Sequence, residues 1–360
     1  MKKNIILLLS TIVITVIAVE FILHIAFPIK YPLTQPWVRL WNYHSILGWV
    51  TQKNIQMGPY KVTNSKGLRG KEYSYNRANN KKRVLIFGDS FAHGYGFADT
   101  DNLYHEIIMS KYLPDTELIN MGVSGYGTDQ SFLSYKTEGY KYNPDIVILI
   151  FYANDFAEDL ISYDNGLISP NFIVSKNNTL KLKNVPVPLC NGWGEGWIIP
   201  STFREYLFVY SRLYNLYNRI LIGNLERLPY DYDVYPTQDF LKKSKVTMRI
   251  LEEFNVLCKK NNSKFIIVTI PYMSMIEDDE WNIIKNELQL SEEDRFGPYE
   301  DFFNPLKESG IPVIHFNKHF HELRKQGTVT YDSDSRHWNF AGHQEIAALL
   351  ADIIKNNTIK

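Results

Sequence analysis

Lys81-Lys82-Arg83-Val84-Leu85-Ile86-Phe87-Gly88-Asp89-Ser90-Phe91 is the stretch whose reading decides the fold. A basic opening leads into an unbroken apolar run, Val84–Phe87, which stops on Gly-Asp-Ser. A run this short, with no polar alternation, predicts a strand buried on both faces. The pattern recurs downstream. Glu117–Met121 reads as a short strand, and Ile146–Phe151 as a continuous apolar strand between Pro144-Asp145 and Asn154-Asp155. Phe265–Ile270 is a further strand before Pro271, and Val313–Phe316 another. Helical patterns fill the gaps at Leu103–Tyr112, Thr128–Tyr140, Phe240–Lys260 and Ala341–Ile354. Alternating helices and fully apolar strands predict an α/β protein, a parallel sheet covered on both faces. Ligand crevices in such sheets lie beyond the carboxyl ends of the strands. Ser90, Gly125 and Asn154 each follow a predicted strand, so their loops share that edge.

The alternation breaks over residues 156–239. Asn171–Val174 and Thr179–Leu182 flank Ser175–Asn178 as a hairpin would. Phe203, Leu207, Tyr210, Tyr214, Tyr217 and Leu221 then recur at helical spacing, a stripe that reads as packing. The insertion follows the Asn154 loop, so it is expected to overhang the crevice. Its Trp193 and Trp197, with Tyr230, Tyr232 and Tyr235, are candidate substrate contacts, because rings with polar edges stack on sugars and also meet lipid.

Lys+Arg and Asp+Glu number 39 each, a balance that argues against a nucleic-acid binder. Cys190 and Cys258 are the only cysteines, which excludes a disulfide framework or a cysteine zinc site. At the N-terminus, Lys2 and Lys3 precede the apolar stretch Ile5–Phe27. With a rise of about 1.5 Å per residue, a helix here crosses a hydrocarbon layer of ~30 Å. The lysines would remain cytoplasmic and the rest would face outward. A membrane anchor is the expectation; a cleaved signal peptide is the alternative, although no A-x-A-like site follows. In such an oxidising location Cys190 and Cys258 have the option of pairing. The expected divisions are an anchor over 1–30, a stalk and lead-in over 31–82, and a catalytic domain over 83–360.

Acyl transfer needs a nucleophile, a base, a group that orients the base, and donors for the oxyanion. Ser90, at a strand-to-helix turn, projects a hydroxyl beside backbone N–H groups. Near the other end stands Asp334-Ser335-Arg336-His337. That spacing lets Asp334 and His337 share one side of a turn, the carboxylate orienting the imidazole toward Ser90. Gly125 permits close approach of an N–H, and the Asn154 amide supplies another donor. Each residue also has a plainer use: Ser90 as a helix N-cap, Asn154 and Gly125 as turn residues, His337 as a core or surface histidine. Gly94-Tyr95-Gly96 lacks the third glycine of a dinucleotide loop. His315, His319, His321 and Glu322 match no familiar metal spacing.

Four segments, in order, resemble the SGNH hydrolases, the GDSL esterases and lipases. Phe87-Gly88-Asp89-Ser90-Phe91 is similar to the family's first block and Asn120–Gly125 to its second. Ala153-Asn154-Asp155 is similar to the third, with Ala153 where the family usually has glycine, and Asp334–His343 to the fifth. Thr63-Asn64-Ser65-Lys66-Gly67-Leu68-Arg69 also resembles a lead-in of membrane-tethered bacterial members. The resemblance implies a three-layer, flavodoxin-like fold and ester hydrolysis without a cofactor. It assigns Ser90, His337 and Asp334 to a triad, and Ser90, Gly125 and Asn154 to the oxyanion hole. The expected substrate is an acylated, most simply acetylated, envelope or exported glycan. Transfer of the acyl group to a polysaccharide and a non-catalytic binding module are the alternatives.

Overall fold

The computed structural model describes residues 2–26, 41–77, 81–97, 99–159, 163–164, 167–187, 211, 213 and 238–357. Five parallel strands form the central sheet: β1 (Lys82–Gly88), β2 (Thr116–Asn120), β3 (Ile146–Phe151), β4 (Lys264–Thr269) and β5 (Val313–His315). Their spatial order is β2-β1-β3-β4-β5, the flavodoxin-like winding that the resemblance implied. In this order the chain reverses direction across the sheet between β1 and β3. The loops after those two strands carry Ser90 and Asn154, so both sit at the switch point where doubly wound sheets bind ligands.

Strand side chains alternate between two faces, and both are covered. Val84, Ile86, Ile148, Ile150, Ile266 and Val268 pack on one side against Tyr104, Ile108 and the apolar face of helix Phe340–Asn356. On the other side Phe87, Phe132, Tyr135, Phe254 and Phe265 form a chain of ring contacts that joins the sheet to helices Thr128–Thr137 and Gln238–Lys260. Val84–Phe87 and Ile146–Phe151 are fully enclosed, which accounts for their lack of polar alternation.

The predicted helix at Leu103–Tyr112 is an α-turn, Tyr104–Ile107, continuing as a π-turn, Ile108–Tyr112. Helices Asp278–Glu287 and Asn317–Lys325 were not anticipated from the sequence. The hairpin pairs Asn171–Val174 with Leu180–Lys183 in antiparallel register, close to the expected bounds. Trp193, Trp197, the Phe203–Leu221 stripe and Tyr230, Tyr232 and Tyr235 lie outside the described residues, as does Cys190; Cys258 is a buried free thiol.

The chain folds as two compact units, residues 42–189 with 229–360, and residues 1–41 with 190–228. Within the second of these, Lys2–Ala26 is one apolar helix with exposed side chains, long and apolar enough to cross a membrane. A signal sequence passes the same test. Glu20, the acid in this helix, accepts hydrogen bonds from Ser211 Oγ at 2.8 Å and Leu213 N–H at 3.0 Å.

Candidate active site

The helix Ser90–His93 is a single turn, too short to stand on local bonds alone. Asp89 caps its start, accepting the Phe91 N–H at 2.9 Å. The carbonyls at its far end are taken up by three other segments. Asn120 Nδ2 and the Tyr104 hydroxyl donate to Ala92 O, at 2.7 and 2.9 Å, and Arg69 Nε donates to His93 O at 3.1 Å. Arg69 is only 2% exposed, and its other nitrogens donate to the carbonyls of Val62 and Phe97. Burial lowers its pKa to about 10. The lead-in segment singled out in the sequence therefore reaches under the Ser90 turn.

The second block docks on the first. Val123 N–H donates to Gly88 O at 3.1 Å, and a Cβ at Gly122 would lie 2.6 Å from that of Ala92, so only glycine fits this approach. Gly125, at φ 79°, lies over Trp49, whose indole donates to Ser124 O at 3.2 Å. Asn154 Nδ2 donates to Asp89 Oδ2 at 3.4 Å, and the same carboxylate oxygen lies 3.5 Å from Ser90 Oγ. Burial holds the Asp89 carboxyl above the usual range, opposed by the Phe91 N–H and the Asn154 amide.

His337 Nε2 lies 2.8 Å from Ser90 Oγ, and its Nδ1 lies 2.6 Å from the carbonyl oxygen of Ser335. A carbonyl can only accept, so Nδ1 carries the proton and Nε2 presents a lone pair to the serine hydroxyl. This is the tautomer of a general base. Burial lowers the His337 pKa below its ordinary value, with the Ser335 carbonyl and then Asp332 acting in the opposite sense. The imidazole lies between two rings: Phe91 at 4.7 Å and 28°, Tyr95 at 4.3 Å and 22°.

Asp334 is placed differently from the expectation. Among the described residues no hydrogen bond joins its carboxylate to His337, and the side chain is exposed. The reason is local. Asp332 Oδ1 accepts the N–H groups of Asp334 and Ser335, at 3.1 and 2.7 Å, which closes an Asx-type turn. Arg336 then takes a left-handed φ of 59°, so residues 334 and 337 do not share the side of a turn that their spacing suggested. The charge of Asp332 favours the imidazolium and so opposes the effect of burial on His337.

Trp49, Tyr95, Asp332 and the Ser335 carbonyl escaped the sequence reading. Tyr95 did carry a signal, its flanking glycines, although glycines at that spacing read first as an incomplete dinucleotide loop. The histidines considered for a metal are engaged separately: His315 with Thr269, His319 with Glu345, and His321 with Arg295.

No protein-family model matches the chain, and no curated protein matches it. Solved structures do. One is an acetyl xylan esterase, at 13% identity and a TM-score of 0.41, covering 76% of this chain and 99% of that one. Another is an acetylxylan esterase from Geobacillus stearothermophilus, in a catalytic mutant form, at 12% identity and a TM-score of 0.41, covering 76% and 94%. A third is a GDSL-like lipase from Bacteroides thetaiotaomicron, at 13% identity and a TM-score of 0.39, covering 78% and 92%. All three resemble this chain at low sequence identity, and each is covered over more than nine-tenths of its own length.

Proposed function

We propose that the protein is a serine esterase with Ser90 as nucleophile and His337 as general base. The observation that carries this is the 2.8 Å contact between His337 Nε2 and Ser90 Oγ, with the Nδ1 proton held on the Ser335 carbonyl. In the first half-reaction His337 takes the Ser90 proton while Oγ bonds to the ester carbonyl carbon. The Ser90 N–H, free of an intrahelical partner at the first helical position, stabilises the oxyanion together with the Gly125 N–H and the Asn154 amide. The alcohol leaves with the proton from Nε2. Water then gives its proton to Nε2 and attacks the acyl-enzyme, releasing the acid and restoring Ser90. Asp334 belongs to this reading as a third member acting at a distance, a role tested below.

The substrate we propose is an acetylated envelope or exported glycan. Support comes from the apolar helix Lys2–Ala26, which as an anchor would hold the covalently attached catalytic unit at a membrane surface, outside the cytoplasm if the lysine rule holds. A serine-directed fluorophosphonate should label the wild-type protein and leave Ser90→Ala unlabelled. Ser90→Ala should also lose release of acetate from acetylated glycans by orders of magnitude. Equal turnover in the variant would refute the assignment, and preference for long-chain acyl esters would refute the glycan.

A further inference from the structure

The two rings that enclose His337 come from the nucleophile's own segment. Phe91 directly follows Ser90 and is buried among Tyr152, Tyr331 and Trp338. Tyr95 closes the opposite face of the imidazole and is only part-buried. Its backbone is fixed to the nucleophile, because Tyr95 N–H donates to Ser90 O at 3.0 Å. Gly94 and Gly96, at φ 82° and 86°, bend the chain on either side of it, so that the ring turns back toward the site. Residues with a Cβ rarely adopt these angles.

We propose that Tyr95 is a positioning residue for His337, clamping the imidazole against Phe91 so that Nε2 stays on the Ser90 hydroxyl. The need for a clamp follows from the third member of the site. A carboxylate on Nδ1 fixes an imidazole by a charged hydrogen bond, but here Nδ1 meets a neutral carbonyl of an exposed turn. Hydrogen bonds at Nδ1 and Nε2 leave the ring free to rotate about the line that joins them; two flanking ring faces remove that freedom. Facing π-systems also favour the imidazolium that forms as Ser90 is deprotonated, since the ring quadrupole attracts a cation over its face. The same ring shields the imidazole from water on its otherwise open side.

This inference rests on the esterase reading for its rate effect but not for its geometry, so its test has two arms in the full-length protein. In the first, the imidazole carbon-bound protons of His337 are followed by NMR. Shielding by the two flanking rings should persist in Tyr95→Phe and fall in Tyr95→Leu, whatever the protein hydrolyses. In the second, hydrolysis of nitrophenyl acetate should fall about 10-fold or more in kcat in Tyr95→Leu, with KM little changed, and Tyr95→Phe should retain wild-type kcat. Gly96→Ala gives an independent variant. A Cβ there meets nothing within 4 Å, so only the backbone angle is disturbed, and it should reproduce the kcat loss in part. Unaltered imidazole shielding in Tyr95→Leu would overturn the proposal. So would equal losses in Tyr95→Phe and Tyr95→Leu, which would assign the effect to the hydroxyl. Loss of shielding in a protein that hydrolyses no ester would sustain the clamp and refute the esterase reading alone.

Discussion

The Ser335 carbonyl oxygen stands 2.6 Å from His337 Nδ1, in the place where a triad would put a carboxylate. The orienting atom is therefore part of the backbone, and its position depends on the turn that Asp332 closes. Substitution of an orienting carboxylate costs ~10⁴ in kcat where it bonds the histidine directly. Asp334→Asn should stay within about 10-fold of wild type, and Asp332→Ala should lose more, because it removes the side-chain acceptor that closes the turn. Steady-state kinetics on a nitrophenyl ester decides. A loss near 10⁴ in Asp334→Asn would mean that the carboxylate moves onto Nδ1 during turnover.

The pH profile should carry the signature of a buried base. His337 must be neutral to accept the serine proton, and burial holds its pKa below the ordinary value of 6.5. Raising the pH through that pKa deprotonates the ring and switches activity on. The acid limb of kcat/KM should therefore fall below pH 6.5, with a flat profile through neutrality. A midpoint above 7 would show that the imidazolium is the favoured form.

For the oxyanion donors, Asn154→Ala should lower kcat about 10²–10³-fold with KM nearly unchanged, since the amide matters most once charge develops. In the free protein that amide donates to Asp89, so Asn154→Ala also removes a partner from a buried carboxylate. Thermal melting should accompany the kinetics, to separate the two effects.

Stability should depend on Asp129 and Asp159, which are buried together at the first turn of helix Thr128–Thr137. Asp159 Oδ1 accepts the Asp129 N–H at 2.9 Å, and its other oxygen accepts the Thr247 hydroxyl. Burial raises both carboxyl pKa values, and for Asp129 the neighbouring Asp159 charge raises it further. The folded state thus binds a proton more tightly than the unfolded chain. The resulting stability is complete below the unfolded value of ~3.9 and is lost as pH rises through the folded value. Urea unfolding of Asp129→Asn should show a smaller loss of stability between pH 5 and pH 8 than wild type.

Arg69 gives a prediction about folding. Arg69→Met removes the donors to the Val62, His93 and Phe97 carbonyls and should destabilise by about 2–4 kcal/mol. Arg69→Lys, which lacks the fork, should recover only part of this. Equilibrium unfolding of both variants gives the comparison.

What the sequence disclosed follows from how local each feature is. Val84–Phe87 and Ile146–Phe151 announced buried strands because enclosure on both faces excludes polar residues from the run itself. The placing of Ser90, Gly125 and Asn154 on loops at one edge was legible because each lies in the loop after a strand, and these strands run parallel. His337 does lie opposite Ser90, whereas Asp334 rested on its spacing and on the family block. The left-handed Arg336 breaks that spacing, and an arginine gives no sign in advance of such a backbone angle. Trp49 and Tyr95 act across chain separations or around faces that periodicity does not encode. The π-turn at Ile108–Tyr112 was hidden for a similar reason, since its apolar spacing passes for an ordinary helix.

The single turn Ser90–His93 has a consequence on the timescale of amide exchange. Its internal bonds run from His93 N–H to Asp89 O, and from Gly94 and Tyr95 N–H to Ser90 O. A free one-turn helix would fray in well under a microsecond. Here the turn cannot open unless Arg69, Asn120 and Tyr104 release its far end, and each is anchored in a different part of the catalytic unit. The amides of His93, Gly94 and Tyr95 should therefore exchange more slowly than those of a free one-turn helix, a difference that hydrogen exchange would read. Ser90 thus stands part-exposed on a stretch of backbone that its neighbours tie down from several sides.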